Sequence, residues 1–205
     1  MGFQIQLYKS DYVISNQEEI YQESLLVADK VSRLYDGVTA DDRKGVYKKI
    51  SESINVTWLY PVYNLFAAAA PSIHFYEINR FVNQSIRQYL FDIVGHPKDT
   101  KIWCQTWINC HDQDTLLKKH THHFPHHGYL SIQPRDTQTM FYDGDEEAYC
   151  IKNEPGILYI GPGNIHHEVQ PLEPIQDYRV TIGFNIITNH DSYDKIDGAS
   201  FIPIL

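Results

Sequence analysis

The sequence predicts an α+β fold in which helices of the N-terminal half cover a β sandwich or jelly roll formed by the second half. Two observations support this prediction. Apolar residues recur at helical spacing before residue 97, whereas short apolar or alternating runs separated by turn residues follow it. The length of 205 residues fits one domain. We therefore predict a single domain, 1–205, with a mostly helical support region (1–97), a β jelly-roll catalytic core (98–190) and a C-terminal tail (191–205).

The support region contains two predicted amphipathic helices. The first covers about 20–34 and the second about 73–94, where a stripe of apolar residues has a period near 3.6. Gly95 and Pro97 end the second helix, because glycine adopts the left-handed C-cap conformation and proline cannot continue a helix. The opening segment 3–7 alternates between apolar and polar residues and predicts a short strand.

The core region contains seven predicted strands at the close spacing that is typical of sandwiches and jelly rolls. Turn residues, including Asp143-Gly144 and Gly161-Pro162-Gly163-Asn164, separate them. The predicted strands are 101–109, 129–133, 138–142, 148–152, 156–160, 166–170 and 178–187.

Composition excludes several function classes. The chain has 17 basic and 26 acidic residues and a net charge of −9, which argues against nucleic-acid binding. No apolar run approaches the ~20 residues of a membrane span. The start of the chain shows no signal peptide, and the three cysteines form no CxxC pair, so we expect reduced thiols and a cytoplasmic protein.

Histidines are the anomaly of the composition, because eight of the eleven lie between residues 111 and 167. In a strand, residues i and i+2 point to the same face, so His120 and His122 can converge on one metal ion. A strand, a tight turn and a histidine pair over 156–169 can supply a third ligand. His166 or His167 can be that ligand, but only one of the two can face inward from a strand.

Arg179 and Thr181 also share one face of a predicted strand. An arginine in an otherwise apolar strand needs an anionic partner, because an unpaired buried charge is costly. Its planar guanidinium suits a carboxylate, and the neighbouring hydroxyl can add a hydrogen bond. A structural carboxylate elsewhere in the chain is the alternative partner.

The order of these motifs resembles the small 2OG-Fe(II) oxygenase family of bacteria and marine phages, within the Fe(II)/2-oxoglutarate-dependent dioxygenases. The resemblance covers about residues 101–187, and the order and spacing of the motifs are more specific than any one of them. The matching stretches are Trp107-Ile108-Asn109, His120-Thr121-His122, Gly128 to Pro134, His167-Glu168-Val169, and Arg179-Val180-Thr181 leading to Phe184-Asn185.

This resemblance implies a double-stranded β-helix with Fe(II) held by His120, His122 and His167 as the catalytic centre. Arg179 would bind the distal carboxylate of 2-oxoglutarate with help from Thr181. The implied reaction uses O2, releases succinate and hydroxylates a small molecule or a protein side chain. The resemblance is compatible with a homodimer and with the host cytoplasm as the location of a phage-encoded protein.

One departure concerns the ligand set, since the usual facial triad contains two histidines and one carboxylate. Here His122 takes the place of the carboxylate, and Asp112 or Asp114 can substitute only if the intervening loop folds back. His123, His126 and His127 fit no ligand position; we place them in a loop or at the pocket rim, where the last two can touch substrate.

Two other functions remain open at this stage. The pattern Pro162-x-Asn164-x-x-His167 loosely resembles the second motif of cupins, which predicts a metal enzyme that does not use 2-oxoglutarate. That hypothesis has no glutamate at the cupin spacing after His122 and no role for Arg179. The third hypothesis is a non-catalytic β-sandwich binding module with incidental histidines.

Overall fold

The computed structural model describes residues 8–12, 14–34, 57–69, 72–191 and 200–204. The helices are α1 (Gln17–Leu34), α2 (Leu65–Ala68) and α3 (Ile73–Gln88), with a 3-10 turn at Thr57–Leu59 and a π-helical turn at Tyr89–Val94. The strands are β1 (Tyr8–Asp11), β2 (Ile102–His111), β3 (His126–Gln133), β4 (Thr137–Asp143), β5 (Glu146–Lys152), β6 (Ile157–Pro162), β7 (His166–Pro171), β8 (Arg179–Thr188) and β9 (Ile202–Ile204).

Both predicted helices are confirmed. Helix α3 begins after Ser72, whose hydroxyl accepts a hydrogen bond from the Phe75 backbone N–H at 3.3 Å. The π-helical turn that extends it ends at Gly95, which has a φ of 87°. The strand predicted over 3–7 lies outside the described residues. No helix in the described part of the chain is long and apolar enough to cross a membrane.

The strands form two antiparallel sheets, one of six strands in the order β1-β6-β3-β8-β2-β9 and one of three in the order β5-β4-β7. Phe141 of the smaller sheet contacts Tyr159 of the larger one, with ring centroids 4.7 Å apart, so the sheets face each other as a sandwich. All seven predicted strands are confirmed to within a few residues. Strand β9, within the segment predicted as a tail, pairs with β2.

The six-stranded sheet has one apolar face and one polar face. The apolar face carries Ile108, Leu130 and Phe184, which are fully buried in one core with the helices. The polar face points toward the smaller sheet. Its cross-strand rows are Gln105-Asn185-His127, Trp107-Gly183-Tyr129, Asn109-Thr181-Ser131 and His111-Arg179. The helices therefore bury the apolar face and leave the polar face free to line an internal site.

We expect Gly128→Ala to lower the free energy of unfolding by about 2–3 kcal/mol, because overpacking a rigid core is costly. A Cβ at Gly128 would lie 2.3 Å from the backbone oxygen of Tyr159 and 2.5 Å from the Phe184 ring. Gly144→Ala is the control. No atom lies within 4 Å of its added Cβ, so only its φ of 62° costs energy, about 1 kcal/mol. Urea denaturation measures both, and equal losses would contradict the packing argument.

Candidate functional site

The pair His120 and His122 lies in an irregular segment between β2 and β3, outside the regular strands. An isolated antiparallel bridge joins His120 to His167 of β7, with backbone N–H···O distances of 3.0 Å in both directions. The His122 N–H also donates to the Gly163 carbonyl at 2.8 Å. The segment is thus held like a strand against β7 and the turn before it, which brings the imidazoles together.

The three predicted ligands form one cluster. One ring nitrogen from each of His120, His122 and His167 lies within 4.8 Å of the others. His167 is 6% exposed, whereas His166 points to solvent, so the structure selects His167 from the pair. Among the described residues no carboxylate joins this group. Asp112, the predicted substitute, instead accepts hydrogen bonds from Thr115 and the Asp114 N–H within its own loop.

Hydrogen bonds hold each of the three imidazoles in one tautomer. The Nδ1 atoms lie 2.6 Å from the Lys118 carbonyl for His120, 2.9 Å from Asn185 Oδ1 for His122 and 3.0 Å from the Ile165 carbonyl for His167. These oxygens can only accept, so each Nδ1 carries the hydrogen. Each Nε2 lone pair is therefore free, and neighbours that fix ring orientation in this way are typical of metal-binding histidines.

The orientation of the Asn185 amide follows from a chain of hydrogen bonds. Its Nδ2 donates to Gln105 Oε1 at 2.9 Å, and Gln105 Nε2 donates to the Tyr60 carbonyl at 3.0 Å. Because a carbonyl oxygen only accepts, the direction of every donor in the chain is set. Asn185 Oδ1 must then accept from His122.

Burial keeps these histidines neutral. It lowers the pKa of His122 to about 3, with further lowering by the charge that a protonated His120 would carry. Burial likewise lowers the pKa of His120 and holds the pKa of His167 well below its ordinary value. Three neutral imidazoles with free lone pairs fit Fe, Zn, Cu or Ni.

Arg179 lies on β8 with its side chain 2% exposed. Its Nη1 has no hydrogen-bond partner among the described residues, and its Nε reaches only Thr137 Oγ1 at 3.4 Å. Within that part of the chain no carboxylate pairs with it, so the alternative of a structural ion pair receives no support. A buried guanidinium with an unpaired donor is suited to an anionic ligand.

The Thr181 hydroxyl, close to Arg179 on the same face of β8, is oriented as a hydrogen-bond donor. Trp107 Nε1 donates to Asn109 Oδ1 at 2.9 Å, and Asn109 Nδ2 donates to Thr181 Oγ1 at 3.1 Å. Because Thr181 receives this bond, its own hydroxyl hydrogen is left for another acceptor. The predicted pair of Arg179 and Thr181 is therefore together and oriented as donors.

One cavity of about 620 Å³ joins the histidine cluster to Arg179, within the range of ~300–1,000 Å³ that is typical of small-molecule sites. Gly183 lies between the two groups, where a Cβ would come within 2.7 Å of the Trp107 indole. Leu116, Leu117 and Val169 add apolar lining. The same cavity therefore contacts both the histidine cluster and Arg179.

The loop position predicted for His126 and His127 was wrong. Both residues belong to β3, and His127 is 2% exposed. Strand β3 begins at His126 because this residue already pairs with Ile186 of β8. His127 lines the cavity and so does His123, whereas His126 turns away and bonds to the Tyr89 hydroxyl at 3.1 Å.

Sequence reasoning also missed Asn185 as the hydrogen-bond partner of His122, one of the three predicted ligands. The alternation of Thr181, Gly183 and Asn185 on one face of β8 was the available signal, because Thr181 was already assigned to the site. Gln105 accepts a hydrogen bond from Asn185 Nδ2 and so holds the Asn185 amide in place.

No family model and no curated protein sequence matches the chain. Solved structures do match. The apo form of the non-heme monooxygenase ThoJ is 11% identical, with a TM-score of 0.51 over 91% of this chain and 75% of that one. A full-length Neurospora crassa protein in complex with alpha-KG is 10% identical, with a TM-score of 0.50 over 93% of this chain and 76% of that one.

A shorter match is an oxidoreductase of the 2OG-Fe(II) oxygenase family from Burkholderia pseudomallei, 13% identical, with a TM-score of 0.43 over 55% of this chain and 57% of that one. At these identities the likeness to the ThoJ and Neurospora crassa structures shows a shared fold and no more. The fold is the sandwich of two antiparallel sheets described above.

We expect Asn185→Leu to weaken metal binding about 10- to 100-fold, which is the usual cost of losing the partner of a metal-binding histidine. The His122 N–H would lose its acceptor and the ring its fixed orientation. Asn185→Asp keeps an oxygen acceptor and should retain the affinity. Calorimetric titration with Ni(II) measures both variants, and the same loss in both would contradict the proposed role of the acceptor.

We expect the free energy of unfolding to fall as the pH drops below 6.5. His111, opposite Arg179, has a pKa of about 3 in the folded protein, because burial and the neighbouring guanidinium disfavour its charged form. The unfolded chain binds a proton at this histidine near pH 6.5, whereas the folded chain does not. A histidine of this kind therefore lowers the free energy of unfolding by about 2 kcal/mol at pH 5. His111→Gln should reduce the pH slope in denaturation curves, and an unchanged slope would contradict this account.

Proposed function

We propose that the protein is an Fe(II)- and 2-oxoglutarate-dependent dioxygenase with a double-stranded β-helix core, of the small 2OG-Fe(II) oxygenase type that its sequence resembles. One observation carries the proposal. Three imidazoles with free Nε2 lone pairs share a cavity with a buried guanidinium that lacks an anionic partner among the described residues. When bound, Fe(II) supplies O2 activation coupled to oxidation of 2-oxoglutarate to succinate and CO2.

In this function His120, His122 and His167 hold the metal through Nε2. The Lys118 and Ile165 carbonyls and the Asn185 amide orient the rings, so that no rearrangement of tautomers is needed before the metal binds.

Arg179 and Thr181 bind the distal carboxylate of 2-oxoglutarate. Each offers a donor that has no other acceptor in the described part of the chain, and burial strengthens a charge-assisted hydrogen bond. The apolar residues Leu116, Leu117 and Val169 exclude water from the site. The substrate is a small molecule or a protein side chain that enters the same cavity.

The other two hypotheses explain less of the structure. A cupin-type enzyme without 2-oxoglutarate leaves the Arg179 guanidinium, whose Nη1 has no hydrogen-bond partner among the described residues, without a role. A binding module with incidental histidines gives no reason for three imidazoles that are each held with Nε2 free.

We expect anaerobic addition of Fe(II) and then 2-oxoglutarate to produce a visible charge-transfer absorption band. Arg179→Met should weaken 2-oxoglutarate binding at least about 100-fold and leave Fe(II) affinity within a few-fold, since the guanidinium contributes more than one charge-assisted hydrogen bond. Thr181→Val should cost about 10-fold. Titration of the band measures these affinities.

His167→Ala is the matched control, because it should remove Fe(II) binding itself. Wild-type protein that binds Fe(II) but shows no band would contradict the proposed function. Equal loss of Fe(II) and 2-oxoglutarate binding in Arg179→Met would contradict the role given to that residue.

A further inference from the structure

His127 is buried in the centre of the site, where neither ring nitrogen has the distance and angle of a hydrogen bond to a described residue. Its side chain is 2% exposed. Burying a polar group without a hydrogen bond is unfavourable. Burying a phenyl ring at this position would cost less free energy than burying the imidazole. We therefore expect the imidazole to have a role other than stabilising the free protein.

The position of His127 places it beside the metal ligands but outside their set. Its ring stacks on His122, with centroids 4.3 Å apart and planes at 16°, and on His167 at 4.6 Å and 17°. Its nitrogens are not part of the group whose lone pairs converge. The cavity wall includes His127 together with all three ligands. It is therefore placed to contact a molecule bound at the metal rather than the metal.

The other polar side chains in the same cross-strand row are already committed. Asn185 accepts from His122 and donates to Gln105, and Gln105 donates to the Tyr60 carbonyl. Thr181 and Arg179 lie further along the inner face of β8, beyond Gly183. Within this row, at the metal end of the cavity, His127 is the residue with an N–H still to donate.

The imidazole is a donor in its neutral form. A neutral imidazole has one N–H and one lone pair. The three ligands nearby carry no negative charge, so an anionic oxygen meets no repulsion from them.

We propose that His127 is a further binding residue, whose N–H donates a hydrogen bond to a carboxylate oxygen at the metal-binding end of 2-oxoglutarate. This inference rests on the proposed function and deepens it. Arg179 and Thr181 hold the distal carboxylate, and His127 holds the carboxylate next to the keto group. The cosubstrate is then recognised at both ends, which selects a 2-oxo dicarboxylate over a dicarboxylate without that metal-binding end.

The test compares His127→Phe, which keeps a flat ring and removes the donor, with His127→Gln, which keeps an N–H donor. We expect His127→Phe to have a Tm no lower than that of wild type, to bind Mn(II) within about threefold of wild type, and to bind 2-oxoglutarate about 10-fold more weakly. His127→Gln should recover most of that affinity. His126→Phe is the matched control, because the neighbouring ring does not line the cavity, and it should leave 2-oxoglutarate affinity unchanged.

A measurement on wild type keeps the test valid if His127→Phe does not fold. Zn(II)-loaded protein should gain a protected, downfield imidazole N–H resonance when 2-oxoglutarate is added, and the resonance should be missing in His127→Gln. The proposal is overturned if His127→Phe binds 2-oxoglutarate as wild type does, if it loses Mn(II) affinity in the same proportion, or if no such resonance appears. If the proposed function itself is wrong, the result differs from all of these: wild-type protein loaded with metal would not bind 2-oxoglutarate at all.

Discussion

The backbone bridge between His120 and His167 is the interaction on which the site depends. The segment that carries two of the three histidines belongs to neither sheet, and backbone bonds to β7 and to the preceding turn hold it. Gly163 makes this approach possible, since its N–H donates to the Pro125 carbonyl and a Cβ there would lie 1.9 Å from the Phe124 carbonyl oxygen. The turn before His167 thus also positions His120 and His122.

The larger sheet also supports the site, because its face toward the helices is apolar and its face toward the cavity is polar. The helices bury the apolar face, so the inner face can carry side chains that bond to one another and to a ligand. The C-terminal segment joins this support, because Gln105 Nε2 also lies 2.5 Å from Ser200 Oγ. The series of hydrogen bonds from His122 through Asn185 and Gln105 therefore ends at Tyr60 and Ser200, which lie outside the histidine cluster.

Local pattern predicted most of the fold and the convergence of His120 and His122, but it left His166 and His167 as alternatives. Long-range register accounts for what it missed. The alternation of His120 and His122, and of Arg179 and Thr181, is visible within three residues of sequence. The role of Asn185 depends on contacts with residues 63 and 80 positions away, which no local period encodes. Strand β9, Ile202–Ile204, has three residues and is too short to show a period.

In the proposed function, the electrostatics of the site would connect metal binding to cosubstrate binding. The chain carries a net charge of −9, yet the three clustered imidazoles are neutral and the buried Arg179 is cationic. A divalent metal there leaves its charge uncompensated by the protein, whereas the usual triad contributes one carboxylate. The two carboxylates of 2-oxoglutarate offset that charge at one end and the guanidinium charge at the other. Each ligand should therefore raise the affinity for the other by the same factor, because binding free energies are reciprocally linked.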